Sequence, residues 1–262
     1  MSVFAKASAS RSRTLKSIIG GIAVVGVSAL VLSGCASTPT EEEPAAGPRE
    51  DLTLKIGTAL PVTGNLAFLG PPEIAGVGLA AQTINEADLG ITVDVTYGDS
   101  GDADNKAYAT EVPRLLSAGV SAIIGAASSG TSKLFIDDVT GAGVIQFSPA
   151  NTSADFTTWD DNGLYWRTAP SDVLQGEVLG NLIAADGNAT LGIIYLNDSY
   201  GTGLTQFTTE AFEAAGGSVV ASASYNTGDT SFDAQISEVT AANPDAIALV
   251  AFEETKTIVP GL

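Results

Sequence analysis

The chain has 262 residues and is strongly acidic, with 30 Asp and Glu against 11 Lys and Arg and a formal charge of −19. That balance excludes nucleic acid and anionic lipid surfaces as partners, since both need clustered basic side chains. With no histidine and a single cysteine, the commonest general base, the commonest zinc ligand and any disulfide within the chain are excluded too.

Lys6, Arg11, Arg13 and Lys16 precede an apolar run over 18–32, and the first 34 positions hold no acidic residue. A basic head, a short apolar stretch and small residues before a cleavage point describe a secretory signal peptide over 1–34. At ~1.5 Å per residue the run falls short of a hydrocarbon core of roughly 30 Å, which argues against a transmembrane helix. Leu32-Ser33-Gly34-Cys35 resembles a bacterial lipobox, which would leave Cys35 as a lipidated first residue. A plain signal peptide with an incidental cysteine, or a signal anchor, is the competing reading. Residues 35–50 carry almost no large apolar side chain and read as a flexible tether.

From Asp51 onward, apolar strands alternate with helical stretches. Strands are predicted over 52–60, 91–97, 120–125, 144–147 and 164–168, with helices over 73–86, 107–116 and from about Thr131. Pro113 should kink the second helix or mark its start. A second series places helices over 173–185, 204–215 and 232–241, and strands over 191–196, 218–225 and 246–251. Such strand–helix units build an α/β fold of parallel sheets covered on both faces, with ligands beyond the carboxyl ends of the strands. The loops of interest are 60–72, 98–102, 125–132, 147–153, 196–203 and 251–255. The chain stops as a further helix begins at 255–262, so a fragment truncated at its C-terminus is expected.

Gly76-Val77-Gly78-Leu79-Ala80-Ala81 fits a loose dinucleotide pattern but falls inside a helix, where close helix–sheet packing explains the glycines better. Gly125-Ala126-Ala127-Ser128-Ser129-Gly130-Thr131-Ser132 has P-loop glycine spacing without the lysine, so no nucleotide is implied. Its hydroxyls and N–H groups at a helix start suit a carboxylate, although N-capping by Ser129 or Thr131 is the plainer use. Ser148-Pro149-Ala150-Asn151-Thr152 leaves the next strand toward the same side. Asp99, Asp102 and Asp104 lack the glycine and glutamate of a calcium loop and are expected to cap a helix. No catalytic set, metal site or cofactor site is indicated, and a secreted enzyme lacks a nucleophile–base pair.

In order along 52–252, Lys55-Ile56-Gly57-Thr58-Ala59-Leu60-Pro61-Val62-Thr63-Gly64, Ala122-Ile123-Ile124-Gly125, Phe147-Ser148-Pro149-Ala150-Asn151-Thr152, Arg167-Thr168-Ala169-Pro170-Ser171-Asp172, Asp198-Ser199-Tyr200-Gly201-Thr202-Gly203 and Asp229-Thr230-Ser231-Phe232-Asp233 occur. This series resembles the branched-chain amino-acid-binding proteins of bacterial ABC importers. The resemblance implies two Rossmann-like lobes of the type I periplasmic binding fold joined by a hinge: 51–169, and 170–262 incomplete, its return crossings missing. It carries ligand contacts onto Ser129, Gly130, Thr131, Ala150, Asn151 and Thr152, with Tyr200, Phe252 and Glu253 closing from the second lobe. Leu69 stands where the family often has an aromatic residue, and the acid pairing with the ligand ammonium would lie beyond Leu262. The implied function is a monomeric, lipid-anchored extracytoplasmic receptor passing a small amino-acid-like ligand to an ABC permease, with no cofactor. A sensing domain for an amide, urea or aromatic acid, reporting to a signalling partner, is the alternative.

Overall fold

A computed structural model describes residues 50–262. The signal peptide, Cys35 and all of the tether except Glu50 lie outside the described residues. The first series folds as β1 (Leu52–Leu60), α1 (Gly70–Glu86), β2 (Ile91–Asp99), α2 (Tyr108–Ser117), β3 (Ala122–Gly125), α3 (Ser129–Lys133), α4 (Ile136–Gly141), β4 (Ile145–Ser148) and β5 (Tyr165–Arg167). All pairings are parallel and the strand order is β2-β1-β3-β4-β5. The order reverses direction at β1, because β2 lies on one side of it and β3 on the other. Such a reversal opens a crevice at the carboxyl ends of the strands.

The second series gives α5 (Asp172–Ala185), β6 (Thr190–Leu196), α6 (Ser199–Ala214), β7 (Ser218–Tyr225), α7 (Asp233–Ala241), β8 (Ala246–Val250) and α8 (Thr255–Ile258). Its sheet is also parallel, in the order β7-β6-β8, and reverses at β6. Central β6 is buried on both faces, as parallel sheets require. Leu191 and Ile193 join Phe212 of α6 on one face, while Ile194 and Leu196 join Tyr225, Phe232 and Val239 on the other. The first sheet packs Ala59 and Ile123 against Val112, Leu115 and Phe135. The described residues fall in one compact unit carrying both sheets.

Some local expectations need correction. α1 starts at Gly70, with Pro71 and Pro72 inside its first turn, where a missing N–H costs nothing. Packing does not explain Gly76, which has open space around its Cβ position; only Gly78 meets a neighbour, Tyr97 Oη, at 3.3 Å. Pro113 neither starts nor ends α2, which runs through it. The helix expected from Thr131 is two short pieces, α3 and α4, separated at Leu134 and Phe135.

Candidate functional site

The carboxyl ends of both sheets open onto one cleft of about 290 Å³. From the first sheet, Asn65 and Leu66 arrive after β1, Asp102 and Ala103 after β2, and Ser128, Gly130 and Thr131 after β3. From the second, Asn197, Asp198 and Ser199 follow β6, Thr227 follows β7, and Phe252 and Glu254 follow β8.

Carboxylates fix the first two exits. Asp99 accepts from the backbone N–H of Val62 (2.9 Å) and Gly101 (2.7 Å) and from the Thr63 hydroxyl (2.5 Å). Asp102 accepts from the N–H of Asn65 at 2.7 Å and of Asp104 and Asn105 at 2.9 Å. These aspartates therefore tie loops together and do not cap a helix; α2 has no side-chain cap at all. The expectation of capping overlooked that two strand exits lie side by side in the sheet.

The third exit turns at Gly125, whose φ of +136° and approach to Ala59 exclude a side chain: a Cβ would sit 2.0 Å from the Ala59 carbonyl oxygen. Ser128 then caps α3, its Oγ accepting from Thr131 N at 3.1 Å and donating to Thr131 Oγ1 at 2.8 Å. The Thr131 hydroxyl hydrogen is thereby left to serve the cleft. Ser129 is turned away from it, accepting from the N–H groups of Thr152 (3.2 Å) and Ser153 (3.1 Å). Asn151, fully buried, donates from Nδ2 to the carbonyls of Ala126 (3.1 Å) and Ala127 (2.8 Å) and accepts from Tyr165 Oη at 2.8 Å.

Among the residues singled out from sequence, Gly130, Thr131 and Phe252 line the cleft. Ser129, Asn151 and Thr152 stand behind it, bracing the β3 exit against the β4 exit, while Ala150 N donates to Ser148 Oγ within the β4 exit. Tyr200 packs its ring 5.3 Å from that of Phe252, one layer back. Leu69 sits half-buried at the start of α1, and Leu66 takes the cleft position instead. Glu253 lies on an adjoining depression with Asp229 and is paired with Lys256; its neighbour Glu254 faces the cleft. Thr227 was missed because the β7 exit was not among the loops of interest, and the motif there begins only at Asp229.

The cleft is acidic. Asp198 caps α6 by accepting from Gly201 N at 2.8 Å. Burial pushes its carboxyl above the usual range; the Gly201 and Tyr200 N–H groups and Lys133 oppose this, and the charge of Glu254 adds to it. Behind it lies Asp172, fully buried, close to the Thr152 hydroxyl. Burial lifts Asp172 to about 6, with Thr152 and Arg167 pulling down and Asp198 pushing up. Tyr200 is pushed up to about 12 by burial and by Asp172 and Asp198. Lys133, the cation lining the cleft, pairs with Asp155 at 2.6 Å and lies 5.4 Å from the Trp159 ring centre.

Residues 53–258 match the family model described as periplasmic binding protein. The chain belongs to the periplasmic binding protein family. A relative in Pseudomonas aeruginosa, a leucine-, isoleucine-, valine-, threonine- and alanine-binding protein, is 30% identical over 191 residues, covering 71% of this chain and 50% of that one. The branched-chain amino-acid transporter binding protein LivJ of Streptococcus pneumoniae, solved with isoleucine, superposes with a TM-score of 0.69 at 25% identity, covering 79% of this chain and 59% of the other. A solute-binding protein of Rhodopseudomonas palustris BisB5, solved with 3,4-dihydroxybenzoic acid, shares the fold at a TM-score of 0.69 and 20% identity, covering 80% of this chain and 57% of the other. The chain spans about half the length of the curated relatives it matches. This α/β architecture with two parallel sheets is the type I periplasmic binding fold.

Proposed function

We propose that this protein is an extracytoplasmic solute receptor that binds a small amino acid, of branched-chain type, and presents it to an ABC permease. The observation carrying this reading is a cleft fed by loops from both sheets, of a volume suited to an amino acid. Leu66, Leu134 and Phe252 supply apolar walls, and Thr131 and Ser128 supply hydroxyls. Residues 51–169 and 170–262 act as two ligand-binding lobes, and Ser129, Ala150, Asn151, Thr152 and Tyr200 support the cleft. Binding shifts an open–closed equilibrium because the ligand touches both lobes at once only when they are closed. No chemical step is needed, and the receptor works as a monomer tethered by a lipid on Cys35, beside its permease.

A thermal-shift panel of the twenty amino acids on the purified protein tests this. A ligand at 100 times its dissociation constant stabilises by about 2.7 kcal/mol. The folded part, residues 50–262, should then melt several degrees higher, since 1 kcal/mol shifts the midpoint by roughly 2–4 °C. A flat response to all twenty would refute the amino-acid reading.

A further inference from the structure

We infer that Gly130 is a positioning residue that sets how far the two lobes close, its missing side chain leaving the room that Asp198 of the opposite lobe occupies. This deepens the receptor reading of the same cleft and rests on it.

Two contacts across the cleft set a glycine of one lobe against an aspartate of the other. Gly130, in α3, faces Asp198 at the start of α6. A Cβ on Gly130 would lie 2.7 Å from Asp198 Oδ2 and 3.4 Å from its Cβ and Cγ, the three nearest atoms outside its own helix. Gly228, after β7, faces Asp104, whose Oδ2 would lie 2.4 Å from a Cβ there. Gly130 and Asp198 line the cavity, as do Ala103 and Thr227 beside the second contact.

The two contacts differ in what can yield. Asp104 is exposed and can turn into solvent. Asp198 cannot turn away without giving up the α6 cap, since its Oδ1 accepts from Gly201 N at 2.8 Å. Nor can the start of α6 draw back, because Gly201 is already flush with β6: a Cβ there would lie 1.9 Å from the Leu196 carbonyl oxygen. On the other side α3 is held from behind. Ser129 Oγ accepts from the N–H groups of Thr152 and Ser153, and Ser132 Oγ accepts from Ala126 N at 2.9 Å. A methyl group at position 130 must therefore be accommodated by parting the lobes. Its cost falls on the closed form alone, and apparent affinity drops with the fraction of molecules able to close. Backbone preference runs the other way at the two glycines. Gly130 is helical, where alanine is the better residue, whereas Gly228 has a φ of +85°, which alanine resists.

The test is calorimetric titration with L-leucine, together with ligand-free melting, of the unmodified protein, Gly130→Ala, Gly228→Ala, Asp198→Ser and the Gly130→Ala/Asp198→Ser pair. Serine keeps a cap for α6 but lacks the oxygen that the new methyl group would meet. Gly130→Ala should melt no lower than the parent yet bind leucine about tenfold more weakly. Gly228→Ala should melt lower and bind within about threefold of the parent. Beside Asp198→Ser, the cost of Gly130→Ala should shrink below about threefold. Small-angle scattering at saturating leucine should show less compaction in Gly130→Ala than in the parent. Unchanged affinity and compaction in Gly130→Ala would overturn the role of Gly130 and leave the receptor reading standing. So would a tenfold loss that persists beside Asp198→Ser, which puts the methyl group against the ligand, or a Gly130→Ala that melts well below the parent. No binding of leucine by the unmodified protein would remove this role together with the branched-chain reading.

Discussion

Asn151 shows how one side chain can brace the loops around a cleft that it does not itself line. From the β4 exit its amide joins three groups: the carbonyls of Ala126 and Ala127 on the β3 exit and the hydroxyl of Tyr165 in β5. Replacing it with alanine removes every partner at once, inside a region with no exposure to water. An unsatisfied buried polar group costs about 1–3 kcal/mol. Asn151→Ala should therefore destabilise by about 3 kcal/mol or more and loosen the 126–131 turn. Denaturant unfolding would measure it; a loss under about 1 kcal/mol would mean that Asn151 is not the clasp described. The sequence placed Asn151 correctly at a strand exit, but residue type alone could not tell a clasp from a ligand contact. Glu253 and Glu254 pose the same difficulty: adjacent side chains leaving a strand point to different sides, and only the path of the loop decides which one faces the cleft.

At the scale of elements, the strand–helix alternation was readable around β6, which is apolar on both faces, as a covered parallel sheet explains. The break between α3 and α4 was not readable, since Ser132-Lys133-Leu134-Phe135 contains no helix-breaking residue. There the Phe135 ring turns inward to pack with Tyr108. The contact between α5 and α6 was also hidden, because it depends on what two glycines lack. A Cβ on Gly180 would lie 2.6 Å from the Thr208 carbonyl and 2.7 Å from Phe212 N, and one on Gly176 would lie 2.5 Å from Phe207 Cβ. Two opposed effects decide the outcome of Gly180→Ala. Helix propensity favours alanine by about 1 kcal/mol, whereas overpacking against backbone costs roughly 1–3 kcal/mol. Because the contacts are with main chain, which cannot rotate aside, the cost should win and the variant should melt lower than the parent. An unchanged or raised melting temperature would show that the helices can separate freely.

For the whole molecule, buried acids set the direction in which stability runs with pH. Burial raises Asp172 from 3.8 to about 6 and Glu73 from 4.5 to about 7. In the unfolded chain both return to ordinary values, so between about pH 4 and 7 the folded state binds more protons than the unfolded one. Stability must then fall as pH rises through that window. For Asp172 the span corresponds to about 2 kcal/mol once solvent screening is allowed for. The overall charge of −19 at pH 7 acts in the same direction, because acidification also relieves self-repulsion. Asp99 acts oppositely: the hydrogen bonds from Thr63, Val62 and Gly101 outweigh its burial and hold it low, so its contribution is lost only at strongly acid pH. The protein should thus be most stable near pH 5, weaker at pH 8 and weaker again toward pH 3. Urea midpoints measured across that range would check this, with Asp172→Asn flattening the limb between pH 5 and 7. A stability that climbs from pH 5 to 8 would mean that Asp172 gains in the folded protein a cationic partner strong enough to reverse the cost of its burial.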